Sequence, residues 1–347
     1  MEEVKIKKTI LITGGAGFIG SNLVKFLFNK YPDYHLIVLD ALTYAGNLDN
    51  IPEEIKKSNR YEFWQGSVCD SAIVNQLIKR VDAVVHLAAE THVSRSIYDD
   101  SKFFEASVIG TQVVSNAVVA NKNVERFIHI SSSEIYGTAL EIPMTEDHPL
   151  EPRSPYAAAK AGADRLVKSY MLTYGIPAVI LRPFNNYGNN QHLEKVIPRF
   201  ITSALKDEPL TIHGTGEYKR DWILVEDTCE AIDKALHQDL VKIKFETINI
   251  AYGRDLSNLE IARMILDNLG KSEKLIKHIG DRPGQVVRHV AATQKAKELL
   301  DFQAKTPFEE GLKKTIEWYR NNESWWEKQK DMKLVPVKIR DGEVEML

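Results

Sequence analysis

Tyr156 and Lys160 lie four residues apart, directly after Ser154-Pro155, a pair that opens helices. On a helix the two side chains project from one face about a turn apart. A lysine ammonium about 4 Å from a phenol favours the phenolate by about 4 kcal/mol at an effective dielectric near 20, or about three pKa units. A phenol ordinarily near 10 then approaches neutrality and can serve as a base. Shortly before this pair stands Ser131-Ser132-Ser133-Glu134-Ile135-Tyr136-Gly137. Glu134, two residues past Ser132 on an extended strand end, points to the same side and adds a carboxylate to the phenol. Taken singly, the Tyr-x-x-x-Lys pair is also what an ordinary helix with a partly buried tyrosine and a solvated lysine presents. The surrounding elements decide between the two.

Arg126-Phe127-Ile128-His129-Ile130 precedes the serines and reads as a buried parallel strand. At the N-terminus Thr9-Ile10-Leu11-Ile12-Thr13 is another, followed by Gly14-Gly15-Ala16-Gly17-Phe18-Ile19-Gly20 and a helical pattern from Ser21 to Asn29. Gly14, Gly17 and Gly20 let the backbone turn tightly and approach a diphosphate at a helix N-terminus, where free N–H groups and the helix dipole favour anions. A second strand, Leu36-Ile37-Val38-Leu39, ends at Asp40, whose carboxylate can accept from both hydroxyls of an adenosine ribose. A carboxylate there repels a 2'-phosphate, so NAD is expected in preference to NADP. Strand and helix signals alternate to about residue 181, with strands near 8–13, 35–39, 61–65, 82–87, 125–131 and 177–181. That alternation predicts an α/β fold, a doubly wound parallel sheet of Rossmann type covered by helices on both faces, with ligands beyond the carboxyl ends of the strands.

The glycine triplet, Asp40, Ser132 and Tyr156-x-x-x-Lys160 together resemble the extended short-chain dehydrogenase/reductase family. Within it, Leu42-Thr43-Tyr44-Ala45-Gly46-Asn47-Leu48, His86-Leu87-Ala88-Ala89-Glu90-Thr91-His92-Val93, Asn185-Asn186-Tyr187-Gly188, Arg220-Asp221-Trp222, Asp281-Arg282-Pro283-Gly284 and Asn322-Glu323-Ser324-Trp325-Trp326 are similar to nucleotide-sugar 4,6-dehydratases of the dTDP-glucose type. The resemblance covers about residues 8 to 328. It implies an NAD-dependent lyase that oxidises C4 of a nucleotide-linked hexose, removes the C5 proton, expels the C6 hydroxyl as water and returns the hydride to C6. In that scheme Tyr156, assisted by Lys160, takes the C4 hydroxyl proton, Ser132 hydrogen-bonds the same oxygen and Glu134 is the C5 base. The cofactor is expected on Gly14, Gly17, Phe18, Ile19, Gly20, Asp40, Ser67, Val68, Ala88, Tyr156 and Lys160. The substrate is expected on His92, Asn186, Arg220 and Arg288, the two arginines on its diphosphate, since a guanidinium is a planar, permanently charged fork.

Three positions depart from the family pattern. Ser67 replaces an aspartate expected near the adenine. Ser133 stands where an aspartate acid protonates the leaving C6 hydroxyl, and a serine is a poor proton source. Glu134, once it carries the C5 proton, could deliver it instead. His213 occupies a site where an aromatic residue is usual. Alternative readings are a nucleotide-sugar 4-epimerase, which gives Glu134 no use, a UDP-glucuronate decarboxylase, which needs a further cation in the catalytic stretch, and a non-enzymatic NAD-binding regulator.

With 347 residues two lobes are expected: 1–190 for cofactor and catalysis, 191–330 mainly for the nucleotide sugar with some elements returning to the larger lobe, and a charged, aperiodic tail at 331–347 for docking or disorder. A 44% apolar, 27% charged composition with net charge -3 gives no sign of a nucleic-acid or membrane surface. Cys69 and Cys229 make neither a disulfide framework nor a metal-ligand spacing, and no metal is expected. No uninterrupted apolar stretch of spanning length and no secretory signal is read, so a cytoplasmic protein is expected. The family resemblance implies a homodimer through two helices of the large lobe.

Overall fold

The structure, a computed structural model, describes residues 6–281, 284–333, 335–338 and 344–346. Strands buried on both faces read as continuous apolar runs, and the chain has several. Lys8–Thr13 (β1), Tyr34–Asp40 (β2), Tyr61–Gln65 (β3), Ala83–His86 (β4), Arg126–Ile130 (β5) and Ala178–Pro183 (β6) form a parallel sheet with Thr247–Ile250 (β10). The described residues build it in the order β10-β6-β5-β4-β1-β2-β3. The reversal of strand order beside β1 places the crevice where a doubly wound sheet binds ligands. Ile10, Ile12, Leu36 and Val38 face one helical layer, and Leu11, Ile37, Leu39 and Val84 the other; all are fully buried.

The helix that carries Tyr156 and Lys160, Pro155–Tyr174, starts because the Ser154 hydroxyl accepts from the Ala157 amide at 3.2 Å and Pro155 needs no donor there. It stops at Gly175, which takes the left-handed conformation. Ser101–Ala120 departs from one expectation: charges and hydroxyls interrupt it, yet as a helix it is long and apolar enough by composition to cross a membrane. Here it lies on the sheet with Val114, Ala117 and Val118 in the core.

Residues beyond 190 divide between two layers. Asn185–Tyr187 (β7), Lys219–Leu224 (β9) and Asp255–Ser257 (β11) make a three-stranded sheet, and Leu210–His213 (β8) pairs with Ile276–Ile279 (β12). Around them Tyr187, Leu193, Phe200, Trp222, Ile265 and Trp326 form a second core. By contrast β10 and the helix Gln294–Leu300 beside it return to the first core through Ile248, Ile250, Ala296 and Leu300. The tail is not featureless. Val335 is buried, and Pro336–Lys338 (β13) lies against the helix Val93–Tyr98 and pairs antiparallel with Val344–Met346 (β14).

Candidate active site

A cavity of about 660 Å³ opens at the carboxyl ends of β1, β2, β4 and β5 and extends under the smaller sheet. Its floor is the glycine turn. Gly14 has φ of +71°, and a Cβ there would stand 2.8 Å from the Ala88 nitrogen. A Cβ on Gly20 would stand 2.1 Å from the Gly14 carbonyl oxygen, so only glycine lets the helix Phe18–Lys30 start this close to the turn. No side chain caps that helix at Gly17, which leaves its first N–H groups to a ligand. Asp40 accepts from the Ala16 and Leu42 amides at 2.9 and 2.8 Å. Burial pushes its carboxyl up, and the surrounding amides oppose that. Phe18, Ile19, Ser67, Val68 and Ala88 also line the cavity. Ser67 is exposed and its hydroxyl accepts from the Cys69 amide at 3.1 Å, while Val68 is buried. This cradle, filled by any Cβ, with a carboxylate at the end of β2, fits a dinucleotide.

Ser132, Ser133, Glu134, Tyr156 and Lys160 face the same cavity. Ser133–Tyr136 is a single 3-10 turn and not a continuation of the strand; the Ser132 hydroxyl caps it by accepting from the Glu134 amide at 3.2 Å. Below the turn, the Tyr136 hydroxyl donates to Asn249 at 2.8 Å and accepts from Arg182 at 2.7 Å. Arg182 in turn grips Asp164 through two 2.9 Å bonds, all fully buried, which ties the turn to β6, β10 and the helix Pro155–Tyr174. The phenol and lysine differ from the sequence argument. Burial drives the Tyr156 phenol up to about 12; a hydrogen bond with Ser132 lowers it and the Glu134 charge raises it. Lys160 donates to the Ile130 carbonyl at 2.7 Å, and burial pulls its ammonium down to about 8 against the attraction of Asp164. Desolvation therefore outweighs the lysine field that spacing alone predicts.

Arg220 is buried in the cavity wall, donating to the Val286 carbonyl at 2.8 Å, with its Nε 3.7 Å from Glu134 Oε1. Asn186 sits on β7; its amide donates to the Phe184 carbonyl at 2.9 Å, and its buried Oδ1 has no hydrogen-bond partner among the described residues. His92 lines the cavity and caps the helix Val93–Tyr98 by accepting from the Arg95 amide. Arg288 is not among the residues lining the cavity; it is paired with Asp255, its side chain 44% exposed, where the antiparallel β9–β11 pair presents that carboxylate beside it. Arg282 and Pro283 lie outside the described residues.

Sequence reasoning passed over two features. Glu194 is wholly buried; it accepts from the Tyr44 hydroxyl at 2.9 Å and from Arg95 at 2.8 Å, with Lys195 3.6 Å away. Burial works against the charge, but His92, Lys195, His192 and the Arg95 bond hold the carboxyl down to about 2. His289 is fully buried, 4.0 Å from Glu134. Its place depends on backbone pairing with Lys219, which nothing in the local sequence announces.

A family model described as GDP-mannose 4,6 dehydratase matches residues 11–315. The low-salt glycan biosynthesis protein Agl12 of Haloferax volcanii is 42% identical over 310 residues, covering 89% of this chain and 98% of that protein. The dTDP-glucose 4,6-dehydratase of Streptomyces niveus is 40% identical over 322 residues, covering 92% and 94%. The crystal structure of DesIV, the dTDP-glucose 4,6-dehydratase of Streptomyces venezuelae with NAD and TYD bound, matches with a TM-score of 0.88 at 39% identity, covering 92% of this chain and 99% of that one. With the glycine turn, Asp40 and the Ser132–Glu134–Tyr156–Lys160 cluster around one cavity, the chain belongs to the nucleotide-sugar 4,6-dehydratases of the extended short-chain dehydrogenase/reductase family.

Proposed function

We propose that this protein converts a nucleotide-linked hexose, dTDP-glucose in the first instance, into its 4-keto-6-deoxy product with loss of water, using NAD. The observation that carries the reading is Glu134, a carboxylate in the wall that also holds Ser132, Tyr156 and Lys160. A group of that kind is needed for elimination and is idle in a 4-epimerase. NAD, when bound, supplies the hydride acceptor at C4 and the donor at C6. The chain's own residues manage protons. Tyr156, acting as the phenolate that the bond from Ser132 favours, receives the C4 hydroxyl proton. The ketone so formed acidifies C5–H, and Glu134, whose Oε1 lies 3.7 Å from the Arg220 Nε, removes that proton. Asn186, Arg220 and His92 orient the sugar nucleotide from the smaller lobe and the loop after β4, while residues up to about 190 hold the cofactor. A homodimer is supported by Phe104, Ile109 and Leu172, apolar and exposed on two adjacent helices. A reducing, cytoplasmic setting is supported by Cys69 and Cys229, both free thiols.

The test is Glu134→Gln with dTDP-glucose. The variant is expected to retain C4 oxidation, seen as NADH, yet release no 4-keto-6-deoxy product, read as absorbance in alkali. Full turnover by that variant removes the assignment of the base. Isotope placed at C4 of the hexose is expected at C6 of the product.

A further inference from the structure

The groups near Glu134 Oε1 include two from other elements: Arg220 Nε on β9 at 3.7 Å and His289 Nδ1 at 4.0 Å. The imidazole is fixed on every side. Its Nε2 is hydrogen-bonded to the Gly137 carbonyl, its backbone amide donates to the Lys219 carbonyl at 3.0 Å, and Phe184 stands edge-on at 6.0 Å between centroids. A carbonyl only accepts, so Nε2 carries the hydrogen and Nδ1 presents a lone pair. That Nδ1 is buried and has no hydrogen-bond partner among the described residues. A buried acceptor without a donor is costly, and here it is aimed at a carboxylate that gains a proton during the reaction. In the resting state two acceptors face each other, which accounts for a separation longer than a hydrogen bond.

We infer that His289 is a positioning residue for Glu134: its Nδ1 lone pair receives the O–H of the protonated carboxyl and holds the C5 proton there until the C6 hydroxyl leaves. The inference rests on the reading of Glu134 as the C5 base. The C5–H bond breaks, its electron pair stays with the substrate as an enolate, and an O–H bond forms on Glu134. A turn of the carboxyl about its terminal bond then offers that O–H to the C6 oxygen. The C6–O bond breaks, the enolate pair closes the C5–C6 double bond, and water departs with Glu134 again a carboxylate. This gives the chain a proton source where Ser133 has none to offer. Burial, Arg220 and His148 keep the imidazole neutral, at about 4, against the pull of Glu134 and the Gly137 carbonyl, so it accepts the bond without taking the proton.

The experiment compares His289→Phe and His289→Asn with wild type on dTDP-glucose, following NADH formation and keto-sugar release across pH. Among the described residues, the groups placed against Glu134 include Arg220, His289 and, through its charge on the phenol, Tyr156. In His289→Phe the protonated carboxyl loses its acceptor, so the acid limb of elimination is expected to move to lower pH by about one unit, with elimination at least about tenfold slower. C4 oxidation is expected to keep its rate, so NADH accumulates, which also reports an intact fold in the same sample. His289→Asn places an amide oxygen near the lost nitrogen and is expected to recover part of the limb position. An unmoved limb in His289→Phe overturns the inference, as does equal slowing of oxidation and elimination in both variants. Active Glu134→Gln would sink the underlying base assignment, whereas inactive Glu134→Gln beside a wild-type-like His289→Phe sinks only the role of His289.

Discussion

Ser132 uses one hydroxyl twice, accepting the Glu134 amide at 3.2 Å and hydrogen-bonding the Tyr156 phenol. Because burial sets the phenol near 12 and Ser132 is the group that pulls it down, Ser132→Ala leaves the phenol higher still. A base must lose its proton to act, so the rising limb of C4 oxidation is expected to shift to higher pH. At neutral pH the rate falls about ten- to a hundredfold, the worth of one hydrogen bond to a charged group. Rapid-mixing measurement of NADH formation across pH checks both. An unshifted limb means that Ser132 acts on substrate rather than on the phenol. Spacing in the sequence pointed to Tyr156 and Lys160 because a helical period brings neighbours together, whereas Ser132 and Glu134 share the cavity through a 3-10 turn and not the extended period expected there. It could not weigh desolvation, which depends on everything packed around the phenol, and so the pull of Lys160 was overstated.

At the scale of elements, the turn that carries Glu134 is held from outside itself. Gly137 closes it with φ of +69°, a Cβ there would stand 2.1 Å from the Glu151 carbonyl oxygen, and its own carbonyl takes the His289 bond. Gly137→Ala therefore meets both a disfavoured backbone region and a clash. It is expected to lower stability by about 1–3 kcal/mol or more, seen as a reduced urea midpoint, with elimination impaired more than C4 oxidation. The strands that are long apolar runs, β1, β2, β5 and β6, were legible because burial on both faces leaves a plain compositional mark. β7, β10, β11 and β12 were not. They are three or four residues long, partly polar, and defined by partners distant in the chain. The Arg288–Asp255 pair was illegible for the same reason, since Asp255 reaches Arg288 only through the β9–β11 pairing.

Across the whole molecule the larger sheet is finished late. β10 covers the edge of β6, whose six residues are all buried, and the helix Val225–His237 packs against Phe18–Lys30. A fragment of residues 1–190 leaves that edge and that apolar helix face bare. It is expected to aggregate or to bind NAD far more weakly than the full chain, measurable by calorimetry on the purified fragment. A soluble fragment with undiminished affinity would mean that the first lobe folds unaided. The return of the chain has a mechanical side as well. The backbone passes from the larger sheet to the smaller one after β6, back through Val225–His237 and β10, out again at β11, back once more at Gln294–Leu300, and out a last time into Phe308–Asn321. Five separate tethers among the described residues leave no single axis about which the halves can swing. Entry and exit of a bulky sugar nucleotide must then depend on small sliding displacements and side-chain rearrangement, and the width of the crevice is built in at folding.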